Sequence, residues 1–456
     1  MKRIIVIIVI FTFIAGWPYY AAPADNPVAP LSKVIQNRSG SPDIDVPETA
    51  PLTLSDCYAL ALKQSEIIAI DEQFIKITEA HFLQALSIMM PNVSFISNDI
   101  QQAKANGGAT AIAGSAISST KDSQRQFNVT QTLFNGFKAF AALKGSRFER
   151  YQRINEKIRA EQLLLVDVAN AFYLLKEKRE DLKALQNIRV ALKNRIKELQ
   201  GRTNLGRSRP AEIVNVKAQL YGVEANIELV KSQEVLAREL LEFLVGGSIY
   251  STADTYDIPV TLQPESYYVA KSDARPDVKA TKFAWELAKK EIQIVNSDFL
   301  PNASLAANYY TQRTGFDKGI NWDATLTITV PIFDGGLTIG RSNEAIAVAR
   351  QQELTYRRTR RLAPYDIRDS YISLKTAISV YNALKKEYST AKLNYHLQKK
   401  DYKFSLVNNL DVLTAIQTLE NAQRDSIHAL YEAKRQYWQL RVSIGESITE
   451  TLNDII

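Results

Sequence analysis

One feature limits the folds open to this chain more than any other: its sequence is written twice. The run Thr329-Val330-Pro331-Ile332-Phe333-Asp334-Gly335-Gly336 closes an alternating segment and opens a long helical one. Thr130-Gln131-Thr132-Leu133-Phe134-Asn135-Gly136-Phe137 does the same earlier. Phe134 and Phe333 are 199 positions apart, and the offset then holds without a gap. Asp167 matches Asp366, Phe172 Tyr371, Leu175 Leu374, Glu212 Asp411, Leu220 Leu419 and Gly246 Gly445. A register kept for so long marks a tandem duplication, and each half is expected to be one structural unit.

Both halves follow one plan. Residues 54–90 carry a helical pattern, with Leu54, Tyr58, Ala61 and Leu62 on one face, Thr53 or Ser55 as cap and Pro91 as stop. Strands are expected at 92–100 and 126–133, joined by a Gly, Ala, Ser and Thr-rich loop at 104–119. The second half repeats this with a helix at 277–299, a stop at Pro301, and strands at 304–312 and 322–332 around a turn at 315–319. The last strand alternates cleanly. Trp322, Ala324, Leu326, Ile328, Val330 and Ile332 form an oily face, and Asp323, Thr325, Thr327 and Thr329 a polar one. Phe127, Val129 and Leu133 fall at the equivalent oily positions, with Asn128, Thr130 and Thr132 opposite. A soluble sheet with its polar face in water is one reading. Strands of about 10–12 residues, the length that crosses a bilayer when tilted, favour a membrane sheet. Tyr309, Tyr310, Phe316 and Trp322 near the loop side fit an aromatic girdle.

Each hairpin leads into a very long helix. Residues 138–200 contain no proline and one glycine, Gly145, which allows roughly 95 Å of helix. Leu182, Leu185, Ile188, Leu192, Ile196 and Leu199 recur at coiled-coil steps. A break at 201–210 precedes a return helix at 211–245. In the second half the helix from Leu337 is expected to kink at Pro364 and resume through Tyr381, Leu384, Tyr388, Ala391 and Tyr395. A break at 405–409 then precedes a return at 410–444.

The N-terminus reads as a secretory signal: Lys2 and Arg3, an apolar core at 4–14, and Ala22-Pro23-Ala24 at the cleavage site. The chain is thus expected to divide into a signal at 1–24, an irregular leader at 25–51, a first repeat at 52–246, a linker at 247–275, a second repeat at 276–446 and a tail at 447–456. The β-hairpins fall at about 92–134 and 302–333, and the helical tips at about 201–210 and 405–410. The single cysteine, Cys57, excludes an intramolecular disulfide and fits a half-buried helix position. The net charge of +7 includes Lys2 and Arg3, and so mild an excess does not point to nucleic acid.

Four membrane strands cannot close a barrel, because the smallest have about eight. An open edge in lipid would leave N–H and C=O groups unpaired, so the chain must pair its edges with copies of itself. The threonine face then lines an aqueous lumen that the helices continue.

The strand-to-helix run 330–336 resembles that of the TolC-type outer-membrane efflux protein family. So do Ala274-Arg275-Pro276-Asp277-Val278-Lys279-Ala280 and Asp411-Val412-Leu413-Thr414-Ala415, the latter followed by Leu419, Ala422, Ala433, Tyr437 and Leu440. With the duplication, the likeness covers about 52–446. It implies an α+β membrane protein: a homotrimer whose four strands per copy form a twelve-stranded barrel in outer-membrane lipid, continued by an α-helical periplasmic tunnel of coiled-coil helices. It further implies an exit duct of a Gram-negative tripartite efflux or type I secretion system. The partners would be a periplasmic adaptor and an inner-membrane transporter of the RND or ABC type. The resemblance places Asp411, Thr414, Glu212 and Tyr402 at a periplasmic aperture. Thr414 stands where the family has a second aspartate, and Val407 where it has an arginine; Arg207 and Arg209 are candidates to supply that charge. The turns Leu205-Gly206-Arg207-Ser208 and Leu406-Val407-Asn408-Asn409 would contact the adaptor, whose docking untwists the inner hairpins. For Asp411 an ordinary helix N-terminal carboxylate is the alternative role.

Nothing in the sequence points to catalysis, a cofactor or a metal. His81, His396 and His428 are scattered, and no phosphate loop, dinucleotide fingerprint or nucleophile elbow is present. Arg357, Arg358, Arg360 and Arg361 fit a solvated helix face. The competing reading is a periplasmic coiled-coil scaffold or adaptor, whose strands would tolerate charges at Leu326 and Ile328.

Overall fold

The computed structural model describes residues 51–101, 121–259, 261–314 and 318–446. The signal segment, nearly all of the leader, the loop at 104–119, Phe316 and the tail lie outside the described residues. In chain order the elements are α1 (Leu54–Gln64), α2 (Glu66–Ser87), β1 (Asn92–Gln101), β2 (Lys121–Asn135), α3 (Lys138–Asn204), α4 (Pro210–Val245), α5 (Glu265–Val269), α6 (Pro276–Asn296), β3 (Asn302–Arg313), β4 (Trp322–Thr329), α7 (Leu337–Lys403) and α8 (Asn409–Ser443). Lys138 and Leu337, Asn204 and Lys403, and Pro210 and Asn409 are each 199 positions apart, so the duplication survives to the residue in helix ends.

The helix expected at 54–90 is two helices. Ser65 leaves helical geometry, donates its N–H to Ala61 O, and caps α2 by accepting from Ile68 N. Thr53 and Asp56 close a capping box at the start of α1. Cys57 is fully buried rather than half-buried, and burial pushes its thiol up to about 12. The expected break at 201 comes later. Gly201 stays helical, and Gly206 ends the hairpin at φ +69°, the left-handed geometry glycine adopts without strain. Ser405, its equivalent 199 positions on, takes the same conformation at φ +59°. α7 runs unbroken through Pro364.

The four strands form one antiparallel sheet in the order β1-β2-β3-β4. β4 stops at Thr329 instead of 332, because Pro331 has no N–H to donate and β3 begins only at Asn302, after Pro301. At the junction of β2 with α3, Gly136 (φ +63°) lies so close to Ser297 O that a Cβ there would stand 2.6 Å from it.

α3 is the central element, flanked by α1, α2 and α4 of its own half and by α6 and α8 of the other. α7 packs chiefly on α6 and α8. One apolar core gathers Leu165, Phe172, Tyr173, Leu241, Tyr431 and Trp438 midway along the helices. A second joins Leu185, Leu192, Leu199, Val216, Ile227 and Ile416 toward the tips.

Candidate functional site

Two regions carry chemistry beyond packing: the sheet and the helical tips. Strand register sorts the sheet into rows. Asn128, Asn308 and Asp323 are neighbours across β2, β3 and β4, and Asn308 Oδ1 accepts from Asn128 Nδ2 at 2.8 Å while Asn308 Nδ2 donates to Asp323 Oδ1 at 2.8 Å. Tyr310 donates to the other Asp323 oxygen at 2.6 Å. Below them run Thr130-Ala306-Thr325 and Thr132-Ser304-Thr327, with Thr329 against Asn302. Asp323, Thr325, Thr327 and Thr329 thus share one small and polar face.

The opposite face begins with a complete aromatic row, Phe95-Phe127-Tyr309-Trp322, one ring from each strand and all exposed. Next come Val93-Val129-Ala307-Ala324, then Leu305-Leu326, then Phe134-Ala303-Ile328. A bulge leaves Leu133 unpaired and gives Phe134 the oily position expected for Leu133. Gln131 interrupts the face beyond the end of β1, where its amide donates to Met89 O at 2.8 Å. Tyr310 does not join the girdle, since its hydroxyl serves the polar face; Tyr309 and Trp322 do. Val330 lies just past the end of β4 and is exposed. A sheet with one apolar face, broken only at Gln131 and headed by an exposed aromatic row, is built for lipid.

At the far end of the helices, Tyr402 joins the two hairpins. The Arg195 and Arg202 guanidiniums of α3 lie over its ring at 3.6 and 4.3 Å from the centroid. Arg202 also donates to Tyr402 O at 3.2 Å, and Arg195 grips Asn409 Oδ1 through two bonds of 3.0 and 2.9 Å. Asn409 is therefore buried, unlike Leu205, Gly206, Arg207, Leu406 and Asn408, which are exposed around partly covered Ser208 and Val407. Asp411 caps its own helix in a box with Asn408, 3.0 Å in each direction, and Thr414 donates to Leu410 O. Glu212 accepts from Ser208 at 2.7 Å and faces Arg209 at 3.7 Å, both on its own hairpin. Of the two arginines expected to supply charge here, Arg209 meets Glu212 within its own hairpin, while Tyr402 is held by Arg195 and Arg202. Their seven-residue spacing, two turns on one face, is the sequence signal that marks them.

A third network lies between tip and sheet. Arg275 donates to both Asp277 oxygens (3.0 and 2.6 Å), to Asp366 (3.2 Å) and to Ala363 O (3.3 Å), beside Pro364. Across α3 and α8, Arg424 binds Asp181 through both carboxylate oxygens and Arg435 binds Glu177 at 2.9 Å. No group of His, Cys, Asp or Glu able to hold a metal occurs among the described residues.

A lipid-facing sheet joined directly to helices some 100 Å long is the protomer of a membrane channel with a helical extension. Residues 271–446 match the family model described as outer membrane efflux protein. The chain is 22% identical to outer membrane protein TolC of Escherichia coli (strain K12) over 417 residues, covering 84% of this chain and 78% of that one. It is 23% identical to alkaline protease secretion protein AprF of Pseudomonas aeruginosa over 242 residues, 49% of this chain and 50% of that one. The crystal structure of outer membrane protein VceC from Vibrio cholerae superposes with a TM-score of 0.75 at 20% identity, covering 86% of this chain and 96% of that one. Over most of its length the chain is similar to the TolC-type outer-membrane efflux proteins, and it has their α+β fold. It is an exit duct of the outer membrane, extends into the periplasm, and works with other efflux components.

Proposed function

We propose that three copies of this chain close into one duct, a twelve-stranded barrel over a helical tunnel, that passes cargo from an inner-membrane pump through a periplasmic adaptor. The observation that carries this reading is the sheet. Its β1 and β4 edges lack strand partners within the described chain, and its apolar face cannot be left in lipid with those edges open. The polar rows from Asp323 to Thr329 line the lumen, and Trp322, Leu326, Ile328 and Val330 meet lipid. The tips Leu205–Ser208 and Leu406–Asn408 face the adaptor. The pump is of the RND or ABC type, and AprF, named for protease secretion, favours the secretion branch no less than drug efflux.

The gate is the joint between hairpins. Tyr402 held under Arg195 and Arg202 keeps the second hairpin against the first, with Asp411, Thr414 and Glu212 at the rim. Conductance in planar bilayers tests this. Wild type gives stable channels of small conductance, Tyr402→Phe retains them because the ring persists, and Tyr402→Ala or Arg195→Ala widens them. Asp411→Ala lowers cation selectivity if the carboxylate lines the opening. A folded oligomer that stays in solution without detergent and never inserts would overturn the duct. Channels indifferent to Tyr402→Ala would move the gate elsewhere.

A further inference from the structure

Asp323 is the charge set deepest in the polar face of the sheet. It stands one residue inward of Trp322, between the levels of the aromatic row and of the Val93-Val129-Ala307-Ala324 row on the opposite face. From its own level to Thr329, the polar face of the four strands otherwise holds only Asn, Ser, Thr and Ala. Toward the loops come Gln126 and Tyr310, and then Gln124 opposite Arg313. The helices extend into the periplasm, so the strand ends away from them open to the outside. Asp323 therefore lies just inside the outer mouth.

Two neutral donors fix this carboxylate. Asn308 Nδ2 donates to Oδ1 at 2.8 Å and the Tyr310 hydroxyl to Oδ2 at 2.6 Å. Each donor is held in turn. Asn308 Oδ1 accepts from Asn128 Nδ2 at 2.8 Å and from Gln126 Nε2 at 3.2 Å, and the Arg313 guanidinium lies 4.2 Å from the centre of the buried Tyr310 ring. Both carboxylate oxygens keep further acceptor capacity, and Asp323 makes no ion pair among the described residues. Elsewhere the carboxylates of Asp181 and Asp277 are neutralised by Arg424 and Arg275. Nor does the strand require a charge at this position. The residue 199 positions earlier, in the first repeat, is Gln124. What the carboxylate adds over an amide is a field directed at whatever fills the space before it.

We propose that Asp323 is a cation site in the wall of the duct, which takes the ammonium groups of organic cations as they pass the membrane section. A metal ion fits poorly, because one carboxylate has no second ligand of the kind that holds one among the described residues. An ammonium group needs only a fixed acceptor and a charge, and Asp323 supplies both. The site rests on the polar face being the lumen wall, as proposed for the duct. It gives the outer mouth a preference for cations that is separate from any set at the helical tips.

The test uses the full chain in planar bilayers, with spermine added from the loop side at roughly 100 mM salt. Spermine blocks the wild-type current. Asp323→Asn needs about tenfold more spermine for the same block, while Asp323→Glu stays within about threefold of wild type. Raising the salt to about 1 M weakens the wild-type block and leaves that of Asp323→Asn nearly unchanged. Citrate, an anion of comparable charge, does not block. Equal block of wild type and Asp323→Asn overturns the site, as does block by citrate matching that by spermine. If Asp323→Asn fails to insert, Asn128→Lys keeps the carboxylate and sets a cation across Asn308 from it. That variant is expected to lose the block by a similar factor, and block persisting in it overturns the site. Thiol labelling separates the two readings. An impermeant reagent labels Thr325→Cys and not Ala324→Cys, with the parent protein, whose Cys57 is fully buried, as the control. The reverse pattern, or absence of channels, defeats the duct and its lumen wall, whereas channels with the expected labelling and no dependence of block on Asp323 defeat only the cation site.

Discussion

α3 and α7 are the same helix made twice, each 67 residues long and each ending in the same left-handed turn. Yet α3 has 21 buried residues and α7 has nine. Duplication preserved the backbone, while position in the protomer decided burial. α3 lies between partners on every side and became apolar there, with Phe172, Leu175, Leu185 and Leu192 fully enclosed. α7 lies at the edge. It keeps Leu354, Tyr365 and Ile372 in the open, and the other edge helix, α4, keeps Tyr221, Leu236 and Phe243, the last 78% exposed. Apolar area on this scale at both edges of a soluble-facing bundle marks surfaces that meet another chain. The contrast teaches that burial follows a helix's place in the protomer, enclosed at α3 and open at both edges, α7 and α4.

The sharpest way to break the contrast is a matched truncation. Phe172→Ala in α3 removes a fully buried ring and is expected to cost about 3–5 kcal/mol, while its counterpart Tyr371→Ala in α7, half-buried against Tyr268, costs about 1–2. Chemical denaturation of the detergent-solubilised protein, read by circular dichroism, compares them. Equal costs would mean that α7 is as enclosed in the assembly as α3, and the edge argument would fall.

The sheet offers the same test across its thickness. Leu326→Arg places a charge on the apolar face, near its middle, and is expected to cost about 2–4 kcal/mol in a bilayer; Thr325→Arg, one position away, should cost near zero. Insertion yield and folding into vesicles measure both. If the two variants insert equally well, the faces are not lipid and water.

A smaller effect separates two carboxylates of the helical region by sign. In the second half, burial pushes Asp277 up, but the bonds from Arg275 and the charges of Arg275 and Arg159 outweigh it and hold the carboxyl below its ordinary range. Its contribution to stability is therefore present above the unfolded value of about 3.9 and is lost as pH falls through the lower folded value. In the first half, Asp167, the counterpart of Asp366, has its carboxyl raised by desolvation alone. It favours the folded state only below the unfolded value, and that contribution disappears as pH rises. Asp277→Asn should thus destabilise by about 1–3 kcal/mol at neutral pH, with the gap closing in acid. Asp167→Asn, on an exposed position, should shift stability by no more than about 0.5 kcal/mol, upward at neutral pH. Melting curves from neutral to acidic pH that run parallel for wild type and both variants would refute this assignment.

Much of this was readable in the sequence because it is encoded by period and by repetition. Alternation at 322–329 gave the faces of β4, and the fixed offset gave both helical hairpins to within a few residues. What escaped is set by groups that meet only in three dimensions. Ser65 splits a helix because its hydroxyl caps the next one, a local competition that apolar periodicity does not register. Asp411 was singled out by family likeness, and its bonds go to its own helix start. Arg195 and Arg202 do not stand out among the charges of a long helix, although they hold Tyr402, because their partner lies about 200 residues away on another hairpin. The aromatic row across four strands required the register, which no single strand reveals.

The finest comparison is at the tips, where Gly206 and Ser405 occupy equivalent left-handed positions. A side chain in that conformation costs roughly 1–2 kcal/mol, partly offset because glycine loses about 0.5–1 kcal/mol more backbone entropy on folding. Ser405→Gly is therefore expected to stabilise by roughly 0.5 kcal/mol and Gly206→Ser to destabilise by a similar amount, since no atom stands within 4 Å of a Cβ built at Gly206. Hydrogen exchange at Leu406 and Arg207, whose N–H groups close the two turns onto Asp401 O and Arg202 O, reads each tip separately. If Ser405→Gly slows exchange at Leu406 and leaves conductance unchanged, the strain is incidental to gating. If it slows exchange and also stabilises the closed channel, the second tip is the one whose turn must loosen for the duct to open, and the asymmetry between the two halves extends to their function.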